Sequence, residues 1–195
     1  MLSATNSERC FVESAWKFAL WGQFGAALDM LENSIRACPD SLWHDRARDG
    51  EKFLSETRPQ EFWYIAYHTL FFLDFYLAET DRGYAPPAPF TLSELDPEGL
   101  LPDRVYSKDE LLGFLEQGRQ KCRIRIGSLT DDTGHKPAAF ERPQLTVVEL
   151  LMYNMRHIQH HAAQLNLLLR QNINSAPRWV GKTKVPLEPG TSLFP

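Results

Sequence analysis

A chain of 195 residues can bury one sizeable hydrophobic core but is too short for two large domains, so we expect a single domain over residues 1–195. Its content of 43% hydrophobic and 24% charged residues is typical of a folded globular protein and argues against a disordered chain. The net charge of −4 provides no basic field for a phosphate backbone, which argues against general nucleic-acid binding.

Cysteine content and hydropathy indicate the compartment. The three cysteines, Cys10, Cys38 and Cys122, are scattered, odd in number and form no CxxC motif, which favours a reducing compartment; we predict the cytoplasm. No apolar stretch reaches the roughly 20 residues that a membrane-spanning helix needs. The N-terminus also lacks the basic and apolar regions of a signal peptide. We therefore expect neither membrane insertion nor secretion.

Two helices are predicted in the first half of the chain. In ESAWKFALWGQFGAALDMLENSIRAC, residues 13–38, apolar residues recur at spacings of three and four, and the following proline disfavours further helix. Pro59 suits the first turn of a second helix, which continues through QEFWYIAYHTLFFLDFYLAE, residues 60–79. Because this segment is apolar nearly all round, we expect it to be the most buried helix.

A long proline-rich connection follows the second helix. Its sequence is RGYAPPAPFTLSELDPEGLLPDRVY, residues 82–106, with at most a short helical turn around Leu92 to Leu95. Connections of this length are uncommon in compact domains and are usually functional or mobile. We expect this one to lie near the entrance of a site.

Capping boxes mark the starts of two further helices, at SKDE from Ser107 and at TVVE from Thr146. The third helix ends in KCRIRI, whose period of two also allows a strand. The fourth is VVELLMYNMRHIQHHAAQLNLLLRQN, residues 147–172, and residues 175–195 are predicted to form an extended arm. Four long helices without convincing strand pairs predict an all-α fold, a four-helix bundle.

The fourth helix carries three of the six histidines. His157 and His161, four residues apart, share one helix face, whereas His160 is turned about 100° away. Two imidazoles on an inward face need polar partners, and a metal ion would satisfy both. His68, in the second helix, is the candidate third ligand. Three imidazoles with open positions suit zinc, nickel or ferrous iron, although a single such histidine is more often a hydrogen-bonded core residue.

Other residues are candidates for supporting roles. Gln164 lies where it can hold a ligand histidine, and Tyr153 and Asn154 lie where they can orient a metal-bound water. Tyr64, with the other aromatics of the second helix, is a candidate pocket wall beside His68, although aromatics at helical spacing are more often plain core.

One basic run also stands out. It could receive an anionic substrate, although such a run is more often a solvated face; its members are Arg119, Lys121, Arg123 and Arg125.

Two motifs resemble a known family. RHIQHHAAQLN closely resembles the HxxxH helix of the DinB-like proteins, in which two histidines four apart precede a glutamine three positions on; here these are His157, His161 and Gln164. YHTLFF resembles the family's second-helix histidine, which corresponds to His68. The resemblance implies a four-helix bundle with a three-histidine divalent metal site, often in a homodimer.

The resemblance also implies a range of activities. The family contains thiol-dependent S-transferases and isomerases, such as mycothiol-dependent maleylpyruvate isomerase and bacillithiol transferase, and many members without a known substrate. It therefore implies a small-molecule substrate and possible use of a low-molecular-weight thiol. His44, His135 and His160 do not match the ligand positions.

Three functions are left open by the sequence. The first is a divalent-metal-dependent enzyme, a thiol S-transferase or related transferase or hydrolase. The second is a non-catalytic metal-binding bundle, in which the ion stabilises the fold or a dimer. The third is a helical interaction protein with hydrogen-bonded core histidines. The sequence lacks HExxH, ExxH, GxSxG, P-loop and GxGxxG motifs, which argues against the enzyme classes that depend on them.

Overall fold

The computed structural model describes residues 6–44 and 61–187, with side chains of the first segment described from residue 15 onward. Six α-helices occur in these residues: α1 (Asn6–Ala37), α2 (Asp40–Trp43), α3 (Phe62–Leu77), α4 (Lys108–Ser128), α5 (Asp131–Gly134) and α6 (Val147–Ile173). A 3₁₀ helix spans Leu92–Leu95. The same residues contain isolated β-bridges but no strand. The all-α prediction is confirmed.

The four long helices form the bundle. α1 packs against α6 and α4, and α3 packs against the same two helices. The four helices α1, α3, α4 and α6 correspond to the four predicted from the sequence. Because α3 and α6 are neighbours, His68 on one helix can meet His157 and His161 on the other.

Local sequence signals explain where these helices lie. Both predicted capping boxes are present, with Ser107 and Glu110 at the start of α4 and Thr146 and Glu149 at the start of α6. The KCRIRI segment continues α4, because the helical spacing of four buries both Cys122 and Ile126. The helix start proposed at residue 59 lies outside the described residues.

α3 is buried on almost every side, as its sequence predicts. Thirteen of its 16 residues are buried, and the half-buried exceptions, Ile65, His68 and Phe72, follow one another at spacings of three and four. They therefore form one stripe along the helix, and this stripe leaves the His68 imidazole partly accessible. No helix in residues 6–44 or 61–187 is both long and apolar enough to cross a membrane.

Two members of the basic run on α4 form ion pairs with neighbouring helices. Arg119 is 7% exposed in its side chain and lies 2.6 Å from a carboxylate oxygen of Asp29 and 2.6 Å from one of Glu32, both on α1. Lys121 pairs with the buried Asp74 of α3. For Arg119 the solvated-face interpretation is wrong, because its buried charge is taken up by acidic partners on a neighbouring helix, whereas the side chain of Lys121 remains half exposed.

After α6 the chain runs back along α1 without regular secondary structure, through residues 175–187. The Thr183 amide donates to the Gly22 carbonyl at 3.0 Å, and the Trp21 indole donates to the Val185 carbonyl at 2.8 Å. Gly25 allows this close approach, since a Cβ there would collide with the Thr183 side chain. The described part of the arm therefore covers one side of α1.

Candidate metal centre

Three imidazoles converge between α3 and α6. The Nε2 atom of His157 lies 3.3 Å from Nε2 of His68 and 3.0 Å from Nε2 of His161. Nitrogen ligands about 2.0–2.1 Å from a tetrahedral zinc ion are separated from each other by about 3.3 Å. Both of these separations are close to that expected for nitrogens around one ion, and the three imidazoles each offer a ligand nitrogen within 4.8 Å of the other two.

The outer nitrogens of two rings fix their tautomers. His68 Nδ1 lies 2.7 Å from Oε2 of Glu94, and His161 Nδ1 lies 2.7 Å from Oε1 of Gln164. An ionised carboxylate and an amide oxygen can only accept hydrogen bonds, so each Nδ1 carries a proton, and in the neutral ring each Nε2 then keeps its lone pair. His157 Nδ1 is buried without a hydrogen-bond partner in the described residues. The cluster thus directs unprotonated nitrogens at one point, which suits a cation.

Burial also keeps two of the rings neutral. Desolvation is the main cause that lowers the pKa of His157 to about 3 and that of His161 to about 4, and the neighbouring imidazoles lower both further. Both rings are therefore neutral near pH 7, with one nitrogen free of a proton, and this is the form that binds metals.

Aromatic rings line one side of the cluster. Phe72 packs edge-on against His68 and His157, with ring centroids 4.9 and 5.5 Å apart. Tyr76 stacks on Phe72, and Tyr153 meets Tyr76 edge-on at 5.3 Å. We call Phe72, Tyr76 and Tyr153 the aromatic wall. Tyr153 is 38% exposed and forms its outer end.

The other predicted site residues have different surroundings. Asn154 is fully buried and donates to the Leu73 carbonyl at 3.1 Å, which joins α6 to α3. Tyr64 is buried in ring contacts with its α3 neighbours. Gln164 lies at the exposed rim, where its Nε2 is 3.3 Å from Nε2 of the exposed His160. The same amide therefore contacts both His161 and His160.

Glu94 is the site residue that sequence reasoning missed. Its side chain is fully buried, although it belongs to the proline-rich connection. The segment LSEL predicts only a short turn. The sequence signal that pointed to a role for this segment was the expectation that the connection lies near a site. Nothing local indicates which of its residues meets His68, because the contact joins positions 26 residues apart.

A cavity of about 500 Å³ lies elsewhere, between α1, α5 and α6. Its lining includes Trp16, Met152, Met155 and His135 but none of the three clustered histidines. At 100° per residue, the two methionines lie roughly opposite His157 around α6. The cavity and the histidine cluster are therefore on different faces of this helix.

Comparison with protein families identifies the class to which this fold and cluster belong. The model of the DinB superfamily matches residues 23–165, a range that contains all three histidines. The chain belongs to the DinB superfamily. A comparison with curated proteins found no match. Family and cluster together are compatible with a metal-binding protein.

Proposed function

We propose that the protein binds one divalent metal ion through His68, His157 and His161, and that it is a metal-dependent enzyme, a thiol S-transferase or a related transferase or hydrolase. The convergence of three Nε2 atoms at separations of 3.0 and 3.3 Å supports the metal site. Three neutral imidazoles suit zinc, nickel or ferrous iron and leave coordination positions for water or substrate. The thiol chemistry rests on the family.

The residues around the cluster have separate tasks in this proposal. A bound divalent ion supplies a Lewis acid, which lowers the pKa of a thiol or a water molecule. Gln164 holds the His161 ring in position, and Glu94 does so for His68. Phe72 and Tyr76 exclude water from one side and offer an apolar surface to the substrate.

The two cysteines whose side chains the structure describes are poorly suited to supply the thiol of this reaction. Cys38 and Cys122 are buried, and burial raises the pKa of Cys38 to about 12 and that of Cys122 well above its usual value. Neither supplies a thiolate near pH 7. A low-molecular-weight thiol is therefore the proposed nucleophile, and a small electrophile is its partner.

Neither Cys38 nor Cys122 forms a disulfide, which supports a cytoplasmic location. We also propose that the protein forms a homodimer, because the resemblance to the family implies one.

Elemental analysis of tag-free protein tests the metal site. We expect about one metal ion per chain in the wild type and in His160→Ala, and none in the His157→Ala/His161→Ala double variant. His160 is the matched control, since it lies on the same helix with its ring at the exposed rim. Metal retained by the double variant after incubation with zinc, nickel or ferrous salts would contradict the assignment.

Turnover is tested separately with metal-loaded protein and a panel of low-molecular-weight thiols and electrophiles. We expect His68→Ala to lose any activity that the wild type shows, since it removes one of three ligands. Equal activity of the wild type and His68→Ala in every detectable reaction would contradict the enzymatic proposal.

A second function, a metal-binding bundle without turnover, is favoured by one observation. The clustered histidines come from two different helices, so an ion held by them would cross-link α3 to α6. Binding energy that only the folded state provides adds directly to stability. A large loss of melting temperature with a chelator, without binding or conversion of any small molecule, would favour this function over the enzyme.

A further inference from the structure

The connection between α3 and α4 contributes a buried acidic group to the histidine cluster. Glu94 is fully buried in its side chain, and its Oε2 lies 2.7 Å from Nδ1 of His68. The Tyr67 hydroxyl holds the same short helix, since it donates to the Thr91 carbonyl at 3.1 Å and lies 3.2 Å from the Ser93 hydroxyl. Both Tyr67 and His68 belong to α3, so the carboxylate is fixed relative to the imidazole that it contacts.

This contact affects the opposite side of the ring. An ionised carboxylate can only accept, so His68 Nδ1 donates, and in the neutral ring Nε2 then keeps its lone pair. Nε2 is also the atom that faces His157 at 3.3 Å. A carboxylate behind an imidazole makes the ring a better electron donor and places a negative charge near any ion on the other side. Because the Glu94 carboxylate is buried, its negative charge is poorly screened by solvent and salt.

We propose that Glu94 is a positioning residue of the metal site: it fixes the tautomer of His68 and balances part of the charge of the ion. This inference rests on the proposed metal site. It makes the proline-rich connection a functional part of that site, since the connection supplies the carboxylate. Removal of the charge alone is expected to weaken metal binding by about 10- to 100-fold, the usual effect of losing such a partner.

Zinc affinity of matched variants tests the proposal. Glu94→Gln keeps the size and an accepting oxygen but removes the charge, and Glu98→Gln makes the same change at an exposed position on the same connection. Zinc ions alone are titrated against a chromophoric chelator that competes with the protein. We expect a 10- to 100-fold weaker zinc affinity for Glu94→Gln and a change below about twofold for Glu98→Gln. A merely structural role of Glu94 would lower the melting temperature without this loss of affinity.

A second readout uses the unmodified chain and so does not depend on the variant folding. Nitrogen-15 NMR of the histidine rings in metal-free protein reports which nitrogen carries the proton, and we expect Nδ1 for His68. A proton on Nε2, or wild-type zinc affinity in folded Glu94→Gln, would overturn the role of Glu94 while the metal site stands. Absence of zinc binding by the wild type would instead overturn the metal site and, with it, this inference.

Discussion

Metal addition is expected to stabilise the fold through the two helices that carry the histidine cluster. An ion that binds only the folded state at a free concentration 100 times its Kd contributes about 2.7 kcal/mol. In a protein of 150–250 residues, 1 kcal/mol corresponds to a shift of about 2–4 °C in Tm. The chain has 195 residues, so the expected increase in Tm is about 5–11 °C. Each further tenfold increase in free zinc adds about 1.4 kcal/mol.

Thermal unfolding followed by circular dichroism measures this shift. Metal-free wild type, His160→Ala and the His157→Ala/His161→Ala double variant are heated with zinc buffered at several free concentrations. The wild type and His160→Ala should show the shift, and the double variant should show none, because it keeps a single imidazole of the three. An equal shift in the double variant would refute the reasoning, since the stabilising ion would then be bound elsewhere.

Further expectations concern stability in urea. Arg119→Ala should cost about 3 kcal/mol because it removes a buried guanidinium that pairs with the half-buried Asp29 and Glu32, whereas Arg82→Ala, which removes an exposed pair, should stay within about 0.5 kcal/mol; similar losses would contradict a special role of the buried guanidinium. Gly25→Ala should cost about 2 kcal/mol by displacing the arm, whereas Gly113→Ala, with open space around it, should gain about 0.5–1 kcal/mol; a neutral Gly25→Ala would argue against close packing of the arm. The pKa values of the two clustered α6 histidines are lowered to about 3 and about 4 in the folded protein. As pH falls below 6.5, these histidines therefore bind more protons in the unfolded chain than in the folded protein. Metal-free protein should therefore lose stability from about pH 6.5 down to about pH 4 through His161 and down to about pH 3 through His157, by less than about 1.4 kcal/mol per pH unit for each ring since both are partly exposed; a loss of the same size in the double variant would remove this explanation.

The sequence predicted the features that depend on neighbouring residues. Thr146 and Glu149 determine the start of α6 through a capping box, and four-residue spacing places His157 and His161 on one face. Both signals lie within a few turns of helix, so no knowledge of the tertiary structure is needed to recognise them. The apolar character of α3 likewise indicated its burial, and the histidine within it was the predicted third member of the cluster.

Features that join distant parts of the chain were not predictable in the same way. Arg119 contacts Asp29, which is 90 residues away in the sequence, and the arm that follows α6 contacts α1. A basic run has the same sequence pattern whether it faces water or a neighbouring helix. The partner is decided by how the helices pack, and sequence spacing alone does not contain that information. The same reason explains why Glu94 was missed.

The capping box at Thr146 fixes where α6 begins, and it therefore fixes how far along the helix the histidine pair lies. His157 lies eleven residues after Thr146, a distance of about 16 Å along the axis at 1.5 Å per residue. One residue inserted between them would swing both imidazoles by about 100° out of reach of α3. Insertions after residue 173, beyond the helix, would leave the pair in place. The spacing between cap and histidine pair is thus the length that a redesigned or shuffled version of this bundle must preserve.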